Sequence, residues 1–269
     1  MTRKELLPID FHVIGKDILR FHAVYWPAFL MAAELPLPKH IIAHSHWTVD
    51  KQKMSKSKGN VVDPFELIRQ YGVDNVRYFL MREAKLADDA DFSHKMLVTR
   101  CNSELSNTLG NLLSRSTGAA MNPSQSWPDA RLEANDIVMT DRDKALLASF
   151  RSLPARVKPH FDLASFHEGL QLILDALYET NRYYNDLKPW ALPADSHERH
   201  VVLAIAMEAV RVSAMLLYSV IPAKAEEVLH RLNVPRELHQ DWGTLQRPPV
   251  AGTPLQPISA TNGVFPRIK

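Results

Sequence analysis

The sequence predicts a mainly α chain, in which a short α/β segment of doubly wound type leads into a bundle of long helices. Two observations carry this reading. Short apolar runs at 11–14 and 41–43 flank a helical segment, the pattern of a β-α-β unit. Beyond residue 63, most stretches repeat their apolar residues at helical spacing. At 269 residues, 46% of them hydrophobic, the chain can bury a sizeable core.

The elements follow in order. The two apolar runs read as buried parallel strands around a helix from about 17 to 34, which Pro27 should bend or shorten. Two strands are too few for a stable sheet, so the unit reads as the middle of a domain. Asp63-Pro64-Phe65-Glu66 offers an N-cap acid, a proline at the first helical position and a glutamate three residues after the cap; Gly72 supplies the stop. A short helix is expected from 74 to about 82, then an acidic turn, Asp88-Asp89-Ala90-Asp91, read as solvated. Ser93 caps a long helix to about 117, with Leu97, Cys101, Leu105, Thr108, Leu109 and Leu112 on one stripe. Residues 121–135, rich in Pro, Ser and Asn, form a connection. Further helices are expected at about 141–160 (interrupted by Pro154), 165–187, 197–220 and 222–232. Ser165 with Glu168 reads as a capping box, and Phe166, Leu170, Ile173, Leu174, Leu177, Asn181 and Tyr184 recur at helical spacing. The proline-rich tail from 241 should be extended and lie on the surface of something else.

Net charge is +2, which gives no global electrostatic case for nucleic acid. The distribution is more telling: residues 1–60 hold nine Lys or Arg against five acids. The single cysteine, Cys101, lies on the helical apolar stripe and reads as a small buried hydrophobe in a reducing compartment. No apolar signal segment follows Met1. The most hydrophobic stretch, 201–220, carries Glu208 and Arg211 near its middle, which argues for a buried bundle helix and against a membrane span.

The positive charge centres on Lys53-Met54-Ser55-Lys56-Ser57-Lys58-Gly59-Asn60. Three lysines, two hydroxyls and a glycine cannot be core. They suit a mobile loop that closes over phosphate, where ammonium groups and backbone N–H donors meet negative charge. Three histidines at 40, 44 and 46 lack the cysteine pair or carboxylates that would complete a tetrahedral zinc set, so no metal is assigned.

The string Lys-Met-Ser-Lys-Ser, followed by Lys-Gly-Asn-Val-Val-Asp-Pro, resembles the signature loop of class I aminoacyl-tRNA synthetases, which activate an amino acid with ATP and pass it to tRNA. Gly15-Lys16-Asp17, the segment Phe21-His22-Ala23-Val24-Tyr25-Trp26-Pro27-Ala28, His44-Ser45-His46-Trp47-Thr48-Val49 and the ending Phe265-Pro266-Arg267-Ile268 resemble the methionyl-tRNA synthetase family within that class. The resemblance covers essentially the whole chain. It implies the C-terminal part of a Rossmann-type α/β catalytic domain (1–60), a stem-contact region (61–92) and a helical anticodon-binding domain with an extended tail (93–269).

By that resemblance Lys56, assisted by Lys53, stabilises the pyrophosphate leaving group. Gly15 and Asp17 contact the ribose of ATP, and Trp47 and Thr48 lie beside the adenine. His22 and Trp26, one helical turn apart, border the methionine. Asn111, Arg115, Pro189 and Trp190 read the CAU anticodon, with Asn181 and Asn185 behind them. Substrates would be ATP with its Mg2+, methionine, and initiator and elongator methionine tRNA; a monomer, off the membrane, is expected. His12-Val13-Ile14-Gly15 is not the His-Ile-Gly-His motif, the other ATP signature of the class, and that motif occurs nowhere in the sequence. Half the ATP site is therefore expected to be missing, and the chain alone should not form methionyl-adenylate. A tRNA-binding module without catalysis is the alternative; another class I synthetase is disfavoured by His22 and Trp26. His44-Ser45-His46-Trp47 and Met121-Asn122-Pro123-Ser124 look most like mitochondrial enzymes of bacterial type, so the mitochondrial matrix is expected, with the cytoplasm as alternative.

Overall fold

The computed structural model describes residues 7–130, 139–245, 249–258 and 263–269. Strands β1 (Phe11–Gly15) and β2 (His40–His44) pair in parallel, with Phe11 opposite His40 and Gly15 opposite His44. The chain between them is less regular than a single helix. A 3-10 turn (Lys16–Ile18) and a π-helical turn (Phe21–Tyr25) precede α1 (Trp26–Ala32). Pro27 explains the break: it has no N–H to donate, and the Trp26 N–H just before it reaches back five residues to the Phe21 carbonyl.

A second sheet, absent from the sequence reading, joins β3 (Trp47–Val49), β4 (Gln52–Lys53) and β5 (Ala90–Asp91), with β3 antiparallel to β4 and parallel to β5. Between them run α2 (Pro64–Tyr71), capped by Asp63 through the Phe65 N–H and stopped at Gly72, and α3 (Val73–Glu83). Ser93 caps α4 (His94–Arg100) through the Met96 N–H at 3.1 Å. The helix then runs through a ten-residue π-helical stretch (Cys101–Gly110) into α5 (Asn111–Thr117).

Four long elements complete the bundle: α6 (Asp141–Asp162), α7 (Phe166–Leu187), α8 (His197–Leu217) and α9 (Pro222–Arg231). Pro154 does not interrupt α6. Its helix face buries Leu146, Leu147, Phe150, Leu153 and Val157 on both sides of the proline, and that packing against α7 and α8 outweighs one missing hydrogen bond. The capping box stands at Thr140 and Asp143, not at Ser165. Ser165 instead donates its hydroxyl to the Glu168 carboxylate, which also accepts from His160. Helix α8 ends at Leu217, three residues early, where Arg77 binds the Ser219 and Val220 carbonyls.

Nearly all of α8 is buried among α5, α6, α7 and α9. It is the one described helix long and apolar enough to cross a membrane. Glu208 and Arg211 pair inside it at 2.7 Å. One continuous core extends from Leu67 to Phe265, with Trp47 and Met54 packed against it. The described parts of the tail lie on this bundle: Trp127 N–H donates to the Thr253 carbonyl, and Val264 and Phe265 are buried. Residues 131–135 of the expected connection lie outside the described residues.

Candidate functional site

Strands β3 and β4 form a tight hairpin whose turn residues, Asp50 and Lys51, take φ of 52° and 59°. Two positive φ values in a two-residue turn match the right-handed twist of the flanking strands. The hairpin's second strand feeds the lysine segment. There Asn60 ties the ends together, accepting from the Ser55 N–H at 2.9 Å and donating to the Lys53 carbonyl at 3.4 Å. Ser55 caps the turn at 56–58 through the Lys58 N–H, and Gly59 closes it at φ +67°. The loop is held at its neck and open at its tip.

At the neck, Asp17 accepts from His46 Nε2 at 2.8 Å and from Lys53 Nζ at 3.3 Å. The His46 hydrogen bond, with Lys53 assisting, holds the Asp17 carboxyl below the usual carboxylate range. Asp89 accepts from Lys16 Nζ at 2.6 Å and the His46 N–H at 2.8 Å. Asp91 accepts from the Thr48 hydroxyl at 2.6 Å and the Lys51 N–H at 2.9 Å. Both carboxyls are lowered, Asp89 chiefly by Lys16 and Asp91 chiefly by Thr48. The acidic segment at 88–91 is thus no mere solvated turn, because it stitches the hairpin to the end of β1. The Lys56 ammonium is exposed and makes no hydrogen bond or ion pair among the described residues.

His22 and Trp26 line a groove of about 710 Å³ with Phe11, His12, Phe21 and Phe29. His22 Nδ1 donates to the Ile18 carbonyl at 3.0 Å, which fixes the ring. The His12 ring lies 6.2 Å from that of His22 and 6.4 Å from that of Trp26, and its Nδ1 is buried without a partner. Rings of this kind around an open groove suit a soft, apolar group such as a thioether. Trp47 and Thr48 face elsewhere. The Trp47 ring packs on Phe79 with centroids 5.6 Å apart, and Thr48 is buried against Asp91, so both side chains are committed inward. A Cβ at Gly15 would meet only His44, at 4.0 Å, so the backbone there is open to approach.

At the opposite end of the sequence pattern, Arg115 lies over the rings of Tyr184 (4.6 Å) and Trp190 (5.2 Å). The Tyr184 hydroxyl donates to the Arg115 carbonyl at 3.0 Å. Pro189 is buried and starts a 3-10 turn that leaves Trp190 50% exposed. A cation sandwiched on an exposed indole is a platform on which a planar group can stack. Asn111 is exposed and faces a polar groove of about 520 Å³ between its helix and tail residues 263–267. Asn181 donates to the Thr108 and Leu177 carbonyls, so it braces the helices; Asn185 is exposed.

A family model described as tRNA synthetases class I (M) matches residues 8–117. The methionine–tRNA ligase of Rhizobium meliloti (strain 1021) is 41% identical over 268 residues, 98% of this chain and 50% of that protein. The solved Mycobacterium tuberculosis methionyl-tRNA synthetase in complex with methionyl-adenylate matches with a TM-score of 0.89 at 39% identity, over 98% of this chain and 51% of that one. The chain belongs to the methionyl-tRNA synthetase family. It spans about half the length of the curated relatives it matches. Those include the mitochondrial methionine–tRNA ligase of Xenopus laevis, 40% identical over 84% of this chain and 41% of that protein. Bacterial and mitochondrial methionyl-tRNA synthetases thus stand equally near, and the fold is that of a class I synthetase.

For a methionyl-tRNA synthetase chain, two groups of expected residues come together: Asp17 with Lys53, and Arg115 with Trp190. His22 and Trp26 share a third place, the groove beside β1. Sequence reasoning gave no site role to His46, which it quoted within the 44–49 segment and weighed as a zinc ligand, nor to His12, set aside as a strand residue. No local signal marked His46, because only the fold sets it one residue before β3 and opposite the acidic segment. Among the described residues no three His, Cys, Asp or Glu side chains group to hold a metal ion.

Proposed function

We propose that this chain carries the leaving-group side of the ATP site, one wall of the methionine pocket and the anticodon-reading bundle of a methionine–tRNA ligase, which activates methionine with ATP and transfers it to methionine tRNA. The observation that carries this reading is the junction of Asp17, His46 and Lys53 at the neck of the lysine loop, with Lys56 left free at the tip. A free ammonium on a tethered loop can swing onto a pyrophosphate and neutralise the charge that develops as it leaves. Lys53 would share that task once ATP displaces it from Asp17.

In this reading Gly15 and Asp17 meet the ribose, the Trp47–Thr48 backbone passes the adenine, and Mg2+ arrives with the phosphates of ATP. His22 and Trp26 border the methionine side chain. Asn111, Arg115, Pro189 and Trp190 read the anticodon of initiator and elongator tRNA. Residues 1–60, 61–92 and 93–269 then serve as catalytic, stem-contact and anticodon-binding parts. We assign the protein to the mitochondrial matrix, acting as a monomer.

The sequence contains no His-Ile-Gly-His segment, so adenylate formation needs residues besides these. The purified chain is expected to show no methionine-dependent ATP–pyrophosphate exchange, and to bind a methionine tRNA transcript. Trp190→Ala should weaken that binding by about tenfold, the loss of one base stacked on an aromatic ring. Exchange by the chain alone would overturn the division of the site; absence of tRNA binding would overturn the anticodon role. A module that binds tRNA without catalysis is the second reading, favoured by the Arg115–Trp190 platform, which is already assembled without RNA.

A further inference from the structure

The π-helical stretch Cys101–Gly110 stands directly before Asn111 and Arg115. An α-helix turns about 100° per residue, so 18 residues make five whole turns. In an unbroken α-helix Arg115 would therefore lie on the same line as Leu97, which is fully buried, and would enter the core. Leu113, 16 residues from Leu97, would sit about 160° away, toward solvent. The structure does the reverse. Leu97, Cys101, Leu105, Leu109 and Leu113 are all buried at steps of four, while Asn111 is exposed and Arg115 reaches Trp190. The wide turns absorb the drift; the Asn111 N–H reaches back five residues to the Ser106 carbonyl.

The tail fastens onto this same stretch. Asn102 makes a two-point clasp with Ile268, donating Nδ2–H to its carbonyl at 2.9 Å and accepting its N–H at 2.8 Å. Ser106 donates to the Pro266 carbonyl at 3.5 Å. Phe265 lies so close that a Cβ at Gly110 would meet it at 3.0 Å. Lys224 holds the Val264 carbonyl at 2.7 Å and stands over the Phe265 ring.

We infer that the C-terminal tail, through the Asn102–Ile268 clasp and the Phe265–Gly110 contact, holds residues 101–110 in the wide register and so sets the angle at which Asn111 and Arg115 meet an RNA base. Asn102 is a positioning residue: it acts through the helix register and need not touch RNA. The inference rests on the anticodon role proposed above and adds a determinant of specificity to it.

The test compares affinities of the purified chain for two tRNA transcripts, one with the CAU anticodon and one with its first base changed to A. Amide hydrogen exchange is followed alongside. Asn102→Ala and, independently, Gly110→Ala should lower the ratio of the two affinities by about tenfold, the worth of one good base contact. Exchange should quicken within 101–115 and stay unchanged in α8. Leu153→Val, which loosens the core of α6, should lower the unfolding temperature and leave the ratio intact. Unchanged exchange at 101–115 in both tail variants would overturn the inference whatever the RNA does. An unchanged ratio with quickened exchange, or an equal fall of the ratio in Leu153→Val, would also overturn it. A wild-type chain that does not distinguish the transcripts would overturn the anticodon role instead, with exchange still deciding whether the tail holds the register.

Discussion

Lys56 and Cys101 mark two extremes of what one side chain can do in this fold. Lys56 is exposed and unpaired, whereas Lys53, three residues earlier, is drawn to Asp17. Lys56→Ala should therefore weaken pyrophosphate binding by about tenfold, the worth of one charge-assisted contact, as titration calorimetry would read. It should leave the unfolding temperature unchanged, because nothing in the fold leans on it. Cys101 is buried against Asn75 and close to Glu104, and burial pushes its thiol up to about 12. In the unfolded chain the thiol ionises near 9.0, so the unfolded state releases its proton first. Stability should fall as pH rises from about 9 toward 12, and the fall should be shallower in Cys101→Ala, as denaturant titration at several pH values would show. The remainder is carried above about pH 10 by the buried Tyr78 and Tyr183 hydroxyls, which burial also raises. At neutral pH the native thiol should resist alkylation. The lysine motif and the cysteine were both legible as residues. Asp17's partner His46 was not, because a contact across 29 positions leaves no trace in local spacing.

Among the elements, the helix from Ser93 to Thr117 separates pattern from register. Its apolar stripe was plain, but steps of four residues fit neither an α-turn nor a strand over such a length. Only the π-helical stretch lets Leu97 and Leu113 share a face. Leu113→Ala should accordingly cost about 2–5 kcal/mol, as for a core leucine, in chemical denaturation. An α-helical register would expose that residue and make the change nearly neutral. Proline misled the reading at one element and guided it at another. Pro27 breaks the segment before α1, where little packing opposes the break. Pro154 is carried inside α6, where buried residues on both sides hold the axis. The Asp50–Lys51 turn lacked the usual Asn-Gly signal and was missed, with β3, β4 and β5; Asp91 supplies the fixing hydrogen bond instead.

Over the whole molecule, burial is uneven. The bundle closes around α8, whereas β1, the π-helical turn after it and α1 leave Phe11, Val13, Phe21, Phe29 and Met31 exposed. Inside the bundle, Arg211 is nearly inaccessible; among the described residues its oxygen partners are Glu208 and the Leu245 carbonyl, with Met215 Sδ accepting from the remaining arm. Glu208→Gln should strand that charge and destabilise the chain by about 3–5 kcal/mol in denaturant unfolding. The same pair explains why the most apolar helix carries two opposite charges three residues apart. They neutralise each other within one turn, and the tail carbonyl completes the shell.

Composition and helical periodicity by themselves determined the mainly helical architecture and the order of its helices. The lysine motif carried the resemblance to class I synthetases, and the segments 15–17, 21–28, 44–49 and 265–268 carried the resemblance to the methionyl-tRNA synthetase family, since each of these is written in neighbouring residues. Tertiary structure alone decided which side chains meet: His46 with Asp17, Arg115 on Trp190, and the tail on the wide-turned helix. It also decided that Trp47 and Thr48 turn inward. The physical reason is range. Propensity and periodicity act over one or two turns, whereas helix register and ion pairing are settled by whatever distant segment packs alongside.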